Sequence, residues 1–197
     1  MESGVTQLRN SVREAYSKAA IHPEEDHPFP VGREFAMSVG YSRELLQAIP
    51  TASIDSFAGV SNVSVFATLP AGSTVVDVGC GSGLDSIIAA ERVGQDGRVI
   101  GIDFSETMLS RANHSLGGGT RKNLLFVRSD AERLPLANAS VDRALANGIF
   151  NLNPFRDQII TELARVLKPG GCVFGAELVL RAPLGEGETS DASNWFS

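Results

Sequence analysis

Apolar positions recur at turn spacing across residues 5–20, with polar and charged residues between them, and this predicts an amphipathic helix. Pro23 ends it, because a proline disfavours helical geometry at the residue before it. Pro28 and Pro30 keep the next stretch extended. Ser42 reads as the N-cap of a short helix over residues 43–48, closed by Pro50. Residues 53–66 hold no single period, and Gly59 interrupts any helix there. From residue 71 the pattern changes. Short β-branched or apolar runs at 74–78, 97–103, 124–127, 141–146 and 172–180 predict strands. Between them, turn spacing predicts helices at 84–93, where Leu84, Ile87, Ile88 and Glu91 share a face, at 106–115 behind an N-capping Ser105, and at 154–167. Asn153 reads as the N-cap of the last, with Pro154 at its first position, and Lys168-Pro169-Gly170-Gly171 as its stop. Gly117-Gly118-Gly119 is a flexible connection, and residues 181–197, rich in Gly, Glu and Ser, read as a loop.

Strand alternating with helix over short loops predicts a parallel, doubly wound, Rossmann-like α/β sheet. The chain divides on this reading into an N-terminal helical cap or lid (1–70), a Rossmann-like core (71–180) and a tail (181–197).

Composition narrows the function classes. With 43% hydrophobic and 20% charged residues, the chain is that of an ordinary globular protein. A net charge of -6 argues against nucleic acid as a partner, since phosphate-backbone binders carry a basic face. No run of eighteen apolar residues predicts a membrane span, and residues 1–10 lack an apolar signal region, so the expected location is the cytoplasm. Cys80 and Cys172 are expected as reduced thiols. His22-Pro23-Glu24-Glu25-Asp26-His27 reads as a solvated loop, and no metal is expected.

The chemistry concentrates where the first predicted strand ends in Gly79-Cys80-Gly81-Ser82-Gly83 and a helix begins. In open α/β sheets ligands sit outside the carboxyl ends of the strands. Glycines there let backbone approach a ligand, and the helix N-terminus offers N–H groups to an anion. The G-x-G-x-G spacing places Leu84 where a dinucleotide loop needs Gly or Ala, and no Lys-[Ser/Thr] follows, so a triphosphate loop is excluded. Asp77 precedes the loop and suits a cationic amine. Asp103, ending the second strand, suits a pair of ribose hydroxyls, and Asp130, followed by Ala131, suits an adenine amino group. Acids at three strand ends beside such a loop point to S-adenosylmethionine (SAM).

With Asn147-Gly148-Ile149-Phe150-Asn151-Leu152 and Leu163-Ala164-Arg165-Val166-Leu167-Lys168-Pro169-Gly170-Gly171, these motifs resemble the class I SAM-dependent methyltransferases, and among them the arsenite methyltransferase-like branch. The resemblance runs from His27-Pro28-Phe29-Pro30-Val31-Gly32-Arg33-Glu34-Phe35 to Trp195. It implies SAM as cofactor, S-adenosylhomocysteine (SAH) as product and a small-molecule methyl acceptor. The residues expected at the cofactor are Asp77, Gly79, Cys80, Gly81, Ser82, Gly83, Asp103, Phe104, Asp130, Ala131 and Asn147. Two arsenic-binding cysteines of that branch match Val60 and Gly148, and a third would follow Ser197. Valine and glycine cannot ligate a thiophilic centre. No residue qualifies as a general base. The core is expected to be C-terminally truncated, leaving a sheet edge open to a second copy. The alternatives are a non-catalytic SAM- or SAH-binding module or inactive fragment, and a nicotinamide oxidoreductase.

Overall fold

A computed structural model describes residues 2–117 and 121–179, with side chains from Gln7 onward. Residues 118–120 and 180–197 lie outside it, and with them most of the predicted glycine connection and the whole predicted tail. The β-branched run Thr74–Val78 forms β1; Arg98–Asp103, Leu124–Arg128, Val141–Asn147 and Leu167–Ala176 form β2 to β5. All pairings are parallel, in the order β3-β2-β1-β4-β5, so β1 lies at the centre and the order reverses between β1 and β4. This is the predicted doubly wound sheet.

Neighbouring strand residues point to opposite faces, and here both faces are buried. Val75 faces a cluster shared with Leu84, Ile87 and Phe126, whereas Val76 and Val78 face one shared with Ile159, Leu163 and Val166. The first cluster is roofed by α6 (Leu84–Val93), and the second by α8 (Arg156–Val166). Between β2 and β3 runs α7 (Glu106–Ser115), whose N-cap Ser105 accepts from Met108 N at 3.3 Å. On the predicted apolar face of α6 only Glu91 departs: it is exposed and pairs with Arg121 at 2.8 Å.

Ahead of β1 the chain forms α1 (Glu2–Ile21), α2 (Gly32–Ser38), α3 (Arg43–Gln47), α4 (Thr51–Asp55) and α5 (Val63–Phe66). Ser42 caps α3 as expected, accepting from Leu45 N at 3.2 Å. The region without clear period resolves into α4 and α5, with Gly59 between them. α2 has no side-chain N-cap, which left no start signal in the sequence. Ala36, Tyr41, Leu46, Ile54, Phe57 and Val63 join the same cluster as Val75 and Ile87, so these helices share one core with the sheet.

Two boundaries differ from expectation. α8 begins at Arg156 because Asn153 Oδ1 accepts from Phe155 N at 2.8 Å, closing a side-chain turn before the helix starts. β5 begins at Leu167, directly after α8, and ends at Ala176. The Lys168-Pro169-Gly170-Gly171 run does stop the helix, but an irregularity in the pairing, Val141 to Leu167 and then Arg143 to Cys172, absorbs it into the strand. The motif around Arg165 has a structural explanation: its guanidinium donates to the carbonyls of Leu134 and Leu136, to Asn138 Oδ1 and to Glu162, pinning the loop before β4.

Gly83 shows how tightly the loop is seated. Its φ is +87°, and a Cβ there would come within 2.6 Å of Phe126 Cζ. Gly83→Ala is expected to cost about 2 kcal/mol from left-handed strain and overpacking together. Thermal denaturation measures it, and an unchanged midpoint would show that Phe126 yields freely. No helix among the described residues is long and apolar enough to cross a membrane.

Candidate cofactor site

The carboxyl ends of β1 to β4 open into one cleft, roofed by α1 and by the segment after α4. Its floor is the glycine loop. Gly79, Gly81 and Gly83 all take positive φ, the property expected of them. Gly79 N and Cys80 N donate to Ile102 O at 2.8 and 3.0 Å, and Gly81 N donates to Asp103 Oδ2 at 2.9 Å. The end of β2 therefore holds the loop, and these three amides are not left for an anion. A Cβ added at Gly81 would meet nothing within 4 Å, so that position faces open cleft.

Of the expected residues, Asp77, Gly79, Cys80, Gly81, Ser82, Asp103, Phe104, Asp130, Ala131 and Asn147 line this cleft. Gly83 is placed apart from them. It lies behind the wall as the N-cap of α6, packed against Phe126, and serves the loop's shape. Asp77 is buried and accepts from Ser86 Oγ at 2.5 Å; burial first, then the charge of Asp85, raises its pKa. Asp103 is buried too, and its pKa is raised by burial against the opposing bonds from backbone N–H groups. Its oxygens accept from Gly81 N at 2.9 Å and Ser105 N at 2.8 Å, and the residue borders the cleft with acceptor capacity remaining. Asp130 instead meets Arg9 of α1 at 2.7 Å. Burial and the neighbouring acids push the Cys80 thiol up, so it stays protonated, a small wall residue and not a reactive thiolate.

Asn147 has a role beyond lining. Its Oδ1 accepts from Val60 N and Ser61 N at 2.8 and 3.1 Å, and its Nδ2 donates to Ser61 O and Asp85 Oδ2 at 2.7 and 2.8 Å. It staples the segment after α4 onto the end of β4. Phe57 both packs and lines: it meets Tyr41 edge-on at 5.2 Å and borders the cleft.

Sequence reading missed Arg9, Tyr16, Ser56, Asp85 and Glu132, all of which border the cleft. Asp85 was visible in principle, as a carboxylate beside Leu84 and one turn from Ile88 on a buried helix. It accepts from Tyr41 Oη at 2.6 Å, from Ser64 N at 3.1 Å and from Asn147. Glu132 follows directly on the predicted Asp130-Ala131, whereas Arg9, Tyr16 and Ser56 carry no local signal and are brought in by long-range packing. Tyr16 stacks on Phe29 at 4.4 Å, and burial together with Asp103 and Glu177 raises its phenol pKa. Val60 and Gly148 also meet: a Cβ built on Gly148 would lie 3.2 Å from Val60 Cγ1.

A parallel sheet of this order, with a glycine loop and carboxylates at successive strand ends, defines a class I SAM-dependent methyltransferase fold. The chain belongs to the methyltransferase domain family, which matches residues 69–195. It is 37% identical over 125 residues to an arsenite methyltransferase of Halobacterium salinarum, covering 64% of this chain and 32% of that protein. A demethylmenaquinone methyltransferase of Desulfitobacterium hafniense is 38% identical over 109 residues, 54% of this chain and 43% of that one. The arsenic(III) SAM methyltransferase of Chlamydomonas reinhardtii superposes with a TM-score of 0.55 at 28% identity, covering 70% of this chain and 46% of that one. The chain thus spans less than half the length of these relatives.

The cleft fits the family's cofactor. SAM carries a sulfonium and an ammonium, and the cleft presents Asp77, Asp85, Asp103, Asp130 and Glu132 against one cation, Arg9. The raised pKa of Asp77 and of Asp103 marks buried carboxyls that a nearby positive charge would favour in their ionised form.

Proposed function

We propose that the protein transfers a methyl group from SAM to a small apolar acceptor. The observation that carries this is the convergence of Asp77, Asp103 and Asp130 on one cleft floored by Gly79 and Gly81. Asp103 takes the ribose hydroxyls, Asp130 and Ala131 the adenine, and Asp77 the ammonium. SAM supplies a methyl on a sulfonium, a leaving group already activated. The chain's own work is alignment and the exclusion of water. Val12, Phe57, Ile149 and Leu152 make the cleft's remaining wall apolar, which suits an apolar acceptor. Arsenite is not favoured as acceptor, because Val60 and Gly148 offer no thiolate.

Calorimetric titration with SAM, SAH and NADH tests this. SAM and SAH are expected to bind in the range of about micromolar and NADH far more weakly. The acids add a pH signature. A carboxyl with raised pKa destabilises the free fold as pH rises from the ordinary carboxylate range through its raised value, and a bound cation opposes that cost. SAM, with one positive charge more than SAH, should release more protons and gain affinity over SAH between about pH 6 and 8. Tight NADH binding without SAH binding would end the reading; SAH formed with no candidate acceptor would leave a binding module in its place.

A further inference from the structure

One hydroxyl in the cleft stands apart. Ser56, directly after α4, is 2% exposed, borders the cleft, and its Oγ has no hydrogen-bond partner among the described residues. A buried hydroxyl without a partner costs free energy that a fold rarely tolerates without use. The neighbouring buried serine of the glycine loop is satisfied, since Ser82 Oγ donates to Ser53 O at 2.8 Å. That bond also fixes the position of Ser56: it seats the end of α4 on the glycine loop. Three residues on, a Cβ at Gly59 would strike Asn147 Nδ2 at 2.5 Å, which seats the segment against the end of β4. Ser56 therefore lies on the β1 and β4 side of the cleft, whereas Asp130 lies at the β3 end, two strands away.

We infer that Ser56 donates its hydroxyl to the α-carboxylate of the cofactor's amino-acid head. The inference rests on the SAM reading above. With adenine at β3 and ribose at β2, the amino-acid head falls at β1 and β4. Its carboxylate enters a cleft bordered by five acidic side chains and one cation, and that cation, Arg9, is held by Asp130 at the far end. Neutral donors must hold it instead. The loop amides of Gly79, Cys80 and Gly81 are already donated to β2. Among the described residues the hydroxyls of Ser53, Ser56 and Ser64 are buried without a partner, and of these three Ser56 is the one that borders the cleft.

The test is binding of SAH, of decarboxylated SAM and of 5′-methylthioadenosine to the full chain and to its Ser56→Ala variant, by calorimetry. A hydrogen bond to a charged group predicts a loss of about tenfold or more for SAH in the variant. Decarboxylated SAM and methylthioadenosine, which lack the carboxylate, should bind both proteins equally. Because the hydroxyl makes no bond in the fold, the variant should melt no lower than the parent. Equal SAH affinity in the two proteins, or equal losses for all three ligands, overturns the assignment while the cofactor reading stands. Failure of the parent to bind SAH overturns both.

Discussion

Asp103→Ala should weaken SAH binding about a hundredfold, the largest effect on affinity expected at this site, as two charge-assisted hydrogen bonds are lost. Asp103 is held from behind by Gly81 N and Ser105 N, so its carboxylate is set before any ligand arrives. The ribose hydroxyls then pay no cost for orienting it. Asp103→Asn keeps the shape and one acceptor oxygen and should lose about tenfold. The alanine variant must be checked for folding by circular dichroism, since the glycine loop loses its bond at Gly81. Calorimetry gives the affinities. A folded alanine variant that binds SAH as the parent does would remove Asp103 from the cofactor site and with it much of the proposed function.

The largest effect on stability is expected at Asp85. Asp85→Ala leaves the buried Ser64 N–H and one donor of the part-buried Asn147 amide without their acceptor, and leaves the Tyr41 hydroxyl only its longer bond to Ser61 O at 3.1 Å. At about 1 kcal/mol for each of the two donors left unpaired, and about as much for the charge-assisted bond that Tyr41 loses, the cost is about 3 kcal/mol. For a chain of this size that lowers the melting temperature by about 9 °C. Part is returned, because the charge of Asp85 is the second cause of the raised pKa of Asp77, and its removal eases that carboxyl. Asp85→Asn, with one acceptor retained, should fall between the two. If Asp85→Ala melts within two degrees or so of the parent, the Tyr41 and Asn147 links do not hold the roof to the core.

What was legible from sequence follows from period and punctuation. β1 and α6 were readable because β-branched residues, glycines and turn spacing coincide at residues 74–93, and Ser105 announced α7. That Asp77, Asp103 and Asp130 would share one cleft was readable because the ends of neighbouring parallel strands lie together, so they needed only their strands to be placed. α2 was missed for want of a side-chain cap, and the start of α8 because Asn153 closes a turn two residues earlier. The helical cap was expected, but not which of its residues reach the cleft: Arg9 meets Asp130 across 121 positions, and packing alone brings in Tyr16 and Ser56. Gly83 shares the motif's spacing with its neighbours, and its packing against Phe126 is set by tertiary contact and not by the motif.

The contact between Val60 and the left-handed turn at Gly148 has a consequence for how such a protein can diversify. The two positions lie on segments 88 residues apart in the chain, joined by the side-chain bonds of Asn147 to Val60 N and to Ser61. Neither belongs to the floor on which Asp103 and the glycine loop sit. A change at that one touching pair would remodel the wall at the β4 end and leave in place the bonds that set Asp103 against the glycine loop.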